Sequence, residues 1–437
     1  MTLTHAAFLI FVCSVAASYG WGMRGAVIGG EKGALLPGAL IGMSIALFSG
    51  IDALRDNWQL YAAAGALAMG YGGFEPYAQT ADFMLHDSAP YASMKKCFAG
   101  LFIKGANWFG IAAGIFSLSL GALSGKYYKT ADIIILFALI PFIQLLGIKI
   151  FNKPFDRKNG VFPKIYFSRG SREEWGGNLL TMLAVFALAA IRKDFVTLIF
   201  VLTGIVFGGV GWFFSMWLCH KASKMKKRYV DSWKIMEFAY GAVGGLAFSV
   251  CFALNYGRIS AAYSGVYTVT ANGIKGADFL AWAAFAIVII MAIQYPLEKK
   301  TNEKTQRALE LTERAVYYSL LLCLCVLGNM KAARLTVFPV ILWVLYEENA
   351  FDGRITVLFR RPAAGKAVLT VLFALSVIGE IFIPGGYTPV MTIVMYTAAY
   401  IVSDLLYFVL KFRKPGAYCT VHAYFLTLST VLIIIFV

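Results

Sequence analysis

The sequence predicts an all-α polytopic membrane protein of about fourteen transmembrane helices, with a parallel internal duplication of four-helix units. Three observations predict it. Of 437 residues, 59% are hydrophobic and only 14% charged, with a mean hydropathy of +0.71, whereas soluble domains carry roughly 25% charged residues. Apolar runs long enough to cross about 30 Å of hydrocarbon recur along the whole chain, separated by short polar segments rather than folded inserts. Lys and Arg collect in alternate loops, where they set orientation.

The first run, Ala6 to Gly20, ends on Ala16-Ala17-Ser18, a small-residue pattern that resembles a signal-peptide cleavage site. No Lys or Arg precedes it and Arg24 follows, so residues 1–22 read as a retained helix with its N-terminus outside. Further spans are expected near 33–50, 59–73, 98–122 and 131–150, then near 175–191, 195–218, 236–256 and 277–296. The last set lies near 315–329, 335–347, 367–383, 388–410 and 419–437. Lys95-Lys96, Lys153 to Arg172, Lys221 to Arg228, Lys299 to Arg314, Arg354 to Lys366 and Lys411 to Lys414 then share one side, which the charge rule makes cytoplasmic. Both termini come out external, in what is expected to be a bacterial cytoplasmic membrane. Arg192-Lys193 is an exception on the opposite side, balanced in sequence by Asp194.

Ordered short matches define the duplication. Arg24-Gly25 corresponds to Arg169-Gly170, Glu31 to Glu174, Gly70-Tyr71-Gly72-Gly73 to Gly208-Gly209-Val210-Gly211, and Ala131-Asp132 to Ala277-Asp278, with Pro154 and Pro296 closing the units. The units are 23–155 and 156–297. A charged linker at 298–314, in which Glu310, Glu313 and Arg314 would lie along the membrane surface, leads to a C-terminal membrane block at 315–437.

The most unusual stretch runs from Tyr19 to Gly33 and holds six glycines together with Arg24, Glu31 and Lys32. Such glycine density between two spans allows a broken backbone whose free N–H groups meet an anion. A second junction, Arg169 to Asn178, brings Glu174, Trp175 and Asn178 to the start of the sixth span. Burying an ion costs roughly 2.5 to 3.5 kcal/mol even on the lenient insertion scale, so charges here are paired, line a cavity or sit at the interface. The plainest alternative is an interfacial Arg–Glu clasp at each junction.

Glu75 follows a glycine-rich span end, in an acidic and aromatic loop with Asp82, His86 and Asp87. Inside the spans, Lys104, Asn107, Glu237, Asn255, Glu380 and Asp404 are the polar exceptions, and such groups are site candidates by default. Trp21, Trp108, Trp175 and Trp212 lie near the glycine-rich junctions, where a sugar ring would be one thing to stack on them.

Several function classes are excluded by pattern. The net charge of +16 comes from short loops between apolar runs, which fits lipid headgroups rather than nucleic acid. Seven cysteines occur without CxxC and only four histidines exist, so no metal and no disulfide framework is expected. GxxxxGK[ST], GxSxG and HExxH are absent, and no cofactor is expected. The reading that remains is a secondary transporter or permease for a small polar solute, anionic or zwitterionic. Arg24, Glu31, Lys32, Glu75, Lys104, Asn107, Arg169, Glu174, Asn178, Glu237, Trp21 and Trp175 would bind or gate it. Its partners are that solute and anionic lipids at the cytoplasmic loops, and a homo-oligomer is compatible with it. A membrane-embedded transferase acting on a lipid-linked or glycan acceptor, with Glu31, Glu75 or His86 as base, is the main rival, and a channel is third.

Overall fold

The computed structural model describes residues 1–23, 29–74, 80, 94–156, 158–167, 173–224, 232–264, 276–298, 311–342, 363–382 and 387–397. These form helices α1 (Leu3–Met23), α2 (Gly29–Gly33), α3 (Leu35–Phe48), α4 (Asp52–Asp56), α5 (Trp58–Gly72), α6 (Met94–Leu123) and α7 (Thr130–Phe151). Then follow α8 (Trp175–Ile191), α9 (Phe195–Ser223), α10 (Ser232–Leu254), α11 (Tyr256–Tyr263) and α12 (Ala277–Glu298). Helix α13 opens as wide π-helical turns over Glu313–Leu320 and tightens over Leu321–Val326. Helix α14 does the reverse, over Met330–Leu335 and then Thr336–Val340, and α15 covers Ala363–Phe382. Among the described residues there is no strand; an antiparallel bridge between Asp156 and Val161 closes a small hairpin.

Six of these helical stretches are long and apolar enough to cross a membrane: Leu3–Gly22, Gly30–Phe48, Lys95–Leu123, Thr130–Phe151, Phe195–Ser223 and Ser232–Leu254. They are helices because a backbone in hydrocarbon must satisfy its N–H and C=O groups within its own segment. Local chemistry sets their ends. Asp194 starts α9 by accepting the Thr197 N–H at 3.1 Å, and the Asp132 carboxylate returns to the Lys129 N–H at 2.8 Å to start α7. The Arg192 exception is balanced by Asp132, with which it pairs, because Asp194 is committed to its cap and to the Tyr128 hydroxyl at 2.8 Å.

Core and exterior sort by side-chain size as much as by polarity. In α9, Leu202, Val206, Val210 and Phe214 point outward at four-residue spacing, while Gly204, Gly208, Gly211, Trp212 and Ser215 face the interior. Helix α7 likewise shows Ile135, Leu139, Phe142, Leu146 and Ile150 to the outside and turns Ile140, Gln144, Gly147 and Ile148 inward. Hydrocarbon is as apolar as Leu, so close packing of small residues holds helices together. At the seam of α6 and α9 the backbones touch: a Cβ on Gly105 would stand 2.2 Å from the Gly208 carbonyl oxygen, and one on Gly208 2.1 Å from that of Gly105. Gly208→Leu is expected to split this seam and destabilise by about 1–3 kcal/mol or more. A lowered melting temperature and loss of the monodisperse gel-filtration peak would show it, with Val210→Leu on the outer face unchanged.

At the centre lie α5, every residue of which is buried, α3, and α6 with its nearly fully buried middle. Helices α4 and α11 are short additions that periodicity did not predict, and the span expected at 419–437 lies outside the described residues. One expectation is corrected. The linker at 298–314 ends too late, because Glu313 and Arg314 belong to α13 and Arg314 is only 6% exposed. The side chain is drawn inward by a buried carboxylate; Glu310 lies outside the described residues.

Candidate functional site

Helix α5 has 15 residues and rises only about 22 Å, short of the roughly 30 Å of hydrocarbon. Its end at Gly72-Gly73 meets the start of α2 inside the protein. A Cβ on Gly73 would stand 2.5 Å from the Gly30 carbonyl carbon, and one on Gly70 2.7 Å from the Glu31 carbonyl oxygen. Glycine at these positions lets the end of α5 lie against α2, and a helix end leaves backbone groups that side chains must satisfy.

A polar chain does so. Asn178 Nδ2 donates to the Gly72 carbonyl at 3.0 Å, and Asn178 Oδ1 accepts from Gln144 Nε2 at 2.9 Å. Gln144 Oε1 accepts from Arg314 Nη1 at 3.2 Å. Arg314 Nη2 then donates to the Glu174 carboxylate at 2.5 Å, with both side chains buried. The guanidinium carbon lies 4.6 Å from the centre of the Phe74 ring, a distance that adds cation–π attraction. Tyr318 packs edge-on to Phe74 at 4.6 Å, and Tyr71 packs edge-on to the same Phe74 ring at 5.5 Å. Glu31, half-buried, stands within electrostatic reach of Glu313, Lys32 and Arg314, and Lys32 Nζ lies 3.8 Å from Glu313.

Beside this centre the start of α8 is braced from three sides. Lys104 on α6 meets Glu173 at 3.3 Å, both fully buried, and donates to Thr80 Oγ1 at 2.7 Å. Glu173 also accepts the Phe167 N–H at 2.9 Å. One turn along α6, Asn107 Nδ2 donates to the Trp175 carbonyl at 2.9 Å. Asn152 at the end of α7 accepts the Gly176 N–H at 2.9 Å. Glu173 and Glu174 therefore diverge, one to the brace and one to Arg314.

A third group closes α1. Lys234 Nζ lies 2.5 Å from the Glu237 carboxylate and donates to the Gly22 carbonyl at 3.1 Å. Trp21 packs against Trp108 at 5.4 Å and Tyr240 at 5.0 Å, and Trp212 reaches Tyr240 at 4.0 Å. These rings are buried against one another, and Trp108 Nε1 donates to the Met69 carbonyl at 2.8 Å. Aromatic faces in mutual contact are core rather than an open sugar platform.

Of the residues singled out from sequence, Glu31, Lys32, Glu174 and Asn178 gather at the centre, and Lys104, Asn107 and Trp175 belong to the brace. Trp21 and Glu237 sit in the third group. Arg24, Glu75 and Arg169 lie outside the described residues, as do Asp82, His86, Asp87 and Asp404. Asn255 serves its own helix, donating to the Cys251 carbonyl at 2.9 Å. Among the described residues Arg314 pairs with Glu174, from 140 residues away in sequence, and the expected Arg169–Glu174 clasp lies outside them. Sequence reasoning passed over Gln144, Glu173, Lys234 and Arg314. Gln144 was discoverable as an amide inside the apolar run of α7; Arg314 was not, because it borders a charged loop.

No protein-family model, no curated protein and no solved structure matches this chain. The class that fold and site define is therefore read from the molecule itself: an all-α integral membrane protein with a buried ionic centre where the end of α5 meets the start of α8.

Proposed function

We propose that the chain is a secondary transporter for a small polar solute, anionic or zwitterionic, that binds at the Arg314 centre. The observation that carries the reading is the buried Glu174–Arg314 pair set against the broken end of α5. Ionisable groups at membrane depth are costly and mark substrate or ion pathways, and transporters place their sites at discontinuous helices. Under this proposal 23–155 and 156–297 are parallel four-helix units, and about fourteen spans leave both termini external. That Glu31 of the first unit and Glu174 of the second both stand beside Arg314 supports a site between the units. Alternating access is then a rocking of one unit against the other about that site, with Lys32–Glu313 opening on one side.

A thermal-shift screen of the detergent-purified protein against carboxylates, amino acids, sugars, sulfate and nucleotides tests it, since a ligand that binds only the folded state raises the melting temperature by mass action. Stabilisation by a small solute, followed by saturable counterflow of that solute in proteoliposomes, is expected. Stabilisation by nucleotide or acyl donors alone, with no counterflow of any small solute, would replace the transporter with a membrane-embedded transferase.

A further inference from the structure

We infer that the folded loop after α7 is a membrane-surface anchor that seats the protein on anionic phospholipid headgroups, an inference independent of the transporter reading. The loop begins where the outward stripe of α7 ends. Ile135, Leu139, Phe142, Leu146 and Ile150 form that stripe, and Asn152, two residues past Ile150, caps the helix. Beyond the cap, 153–172 carries six Lys and Arg residues against a single acid, Asp156, before Glu173. Such an excess of positive charge beside a bilayer is drawn to anionic headgroups, on the side that the charge rule makes cytoplasmic.

The loop has a defined shape. Asp156 and Val161 exchange both backbone hydrogen bonds at 2.8 Å, and Gly160 closes the turn with a φ of 67°. The Asp156 carboxylate accepts the N–H groups of Lys158 at 3.0 Å and Asn159 at 3.2 Å, so the acid is committed to the turn. Phe162 packs on Phe155 at 5.9 Å and on Tyr166 at 4.9 Å. Upon this aromatic base Val161 stands 39% and Ile165 47% exposed, with Lys153, Lys158 and Lys164 exposed around them. Aliphatic tips set among long cationic side chains fit the headgroup boundary: the tips enter the acyl edge while the ammonium groups reach phosphates.

The far end of the loop is held at the same end of the molecule. Glu173 accepts the Phe167 N–H at 2.9 Å, and a Cβ on Gly100 would stand 2.6 Å from the Phe167 Cβ. The loop therefore lies against the first turns of α6, where Lys95 and Lys96 are exposed, and the basic surface continues across both. Its place at the end of the outward apolar stripe of α7 favours a bilayer over an acidic protein as the occupant.

The test uses the full chain with Val161→Cys carrying a polarity-sensitive nitrobenzoxadiazole label, in phosphatidylcholine liposomes with or without phosphatidylglycerol. Wild type treated alike supplies the blank for the native cysteines. With phosphatidylglycerol present, the label is expected to shift to the blue and to be quenched by a lipid spin-labelled near its headgroup. In detergent, short-chain phosphatidylglycerol is expected to produce the same shift. Its half-saturation should weaken about fivefold for each of Lys153, Lys158 and Lys164 changed to Gln, and about a hundredfold for all three. The single variants carry the test if the triple one does not fold. Ile165→Ser is expected to reduce the quenching and keep the preference for phosphatidylglycerol. A label that stays in water in both kinds of liposome would overturn the anchor, and equal responses to phosphatidylcholine and phosphatidylglycerol would overturn recognition of headgroup charge. The full response to inorganic phosphate would replace the lipid with a free anion, and a response to polyglutamate but not to lipid would replace the bilayer with an acidic protein.

Discussion

Arg314→Met is expected to destabilise the protein by about 3–5 kcal/mol, because it leaves Glu174 buried without its guanidinium. The cost is asymmetric. Removing one member of a buried ion pair strands the other charge, whereas replacing both with uncharged groups of similar size is close to neutral. Arg314→Met combined with Glu174→Gln should therefore recover most of the lost stability, as read by unfolding in detergent. The aromatic wall of Phe74, Tyr71 and Tyr318 gives the methionine thioether an apolar surface to pack on. Under the proposed function, transport is expected to remain absent in that double variant, since the cation proposed to recognise the solute is gone. A single Arg314→Met variant as stable as wild type would show that the pair carries no structural weight.

Lys104→Met is the second large effect, again about 3–5 kcal/mol, because Glu173 sits fully buried opposite it at 3.3 Å. Loss of Lys104 also removes the donor to Thr80 Oγ1, while Glu173 keeps the Phe167 N–H. Here the paired replacement, Lys104→Met with Glu173→Gln, is expected to restore both stability and transport. Contrasting rescue separates the two buried pairs, which look alike in charge and burial: one braces the start of α8 and the other is the proposed binding site. If the Lys104–Glu173 double variant folds but does not transport, Glu173 belongs to the working site.

Much of this was legible in the residues. Hydropathy alone locates α1, α6, α7, α8, α9 and α10 to within a few residues, because every backbone polar group in hydrocarbon must be satisfied within its helix and a long apolar run leaves no other choice. The glycine density of Tyr19 to Gly33 suggests a break between the first two spans, of which residues 24–28 lie outside the described residues. The Glu31 and Glu174 junctions, marked in the sequence by glycines and charges between spans, each bring a carboxylate to Arg314. Glu237 and Lys104 stand out for the same reason, as charges inside apolar runs.

Partner identity was not legible. Arg314 follows a run of Lys, Arg and Glu and reads as part of a charged linker along the membrane surface; only the packing of α13 against α5 and α7 turns it toward Glu174 and Gln144. Glu173 and Glu174 are adjacent and chemically the same, yet one meets α6 and the other α13, a divergence set by where those helices pass. The inner and outer faces of α9 are both apolar, so periodicity of hydrophobicity cannot say that Gly208 touches Gly105 while Val210 faces outward. Which segments are helices follows from each stretch of chain alone, through the cost of an unsatisfied backbone in hydrocarbon. Which charges pair, and which faces touch, depends on shape between segments far apart in sequence, and it is decided only when small residues let particular helices come close.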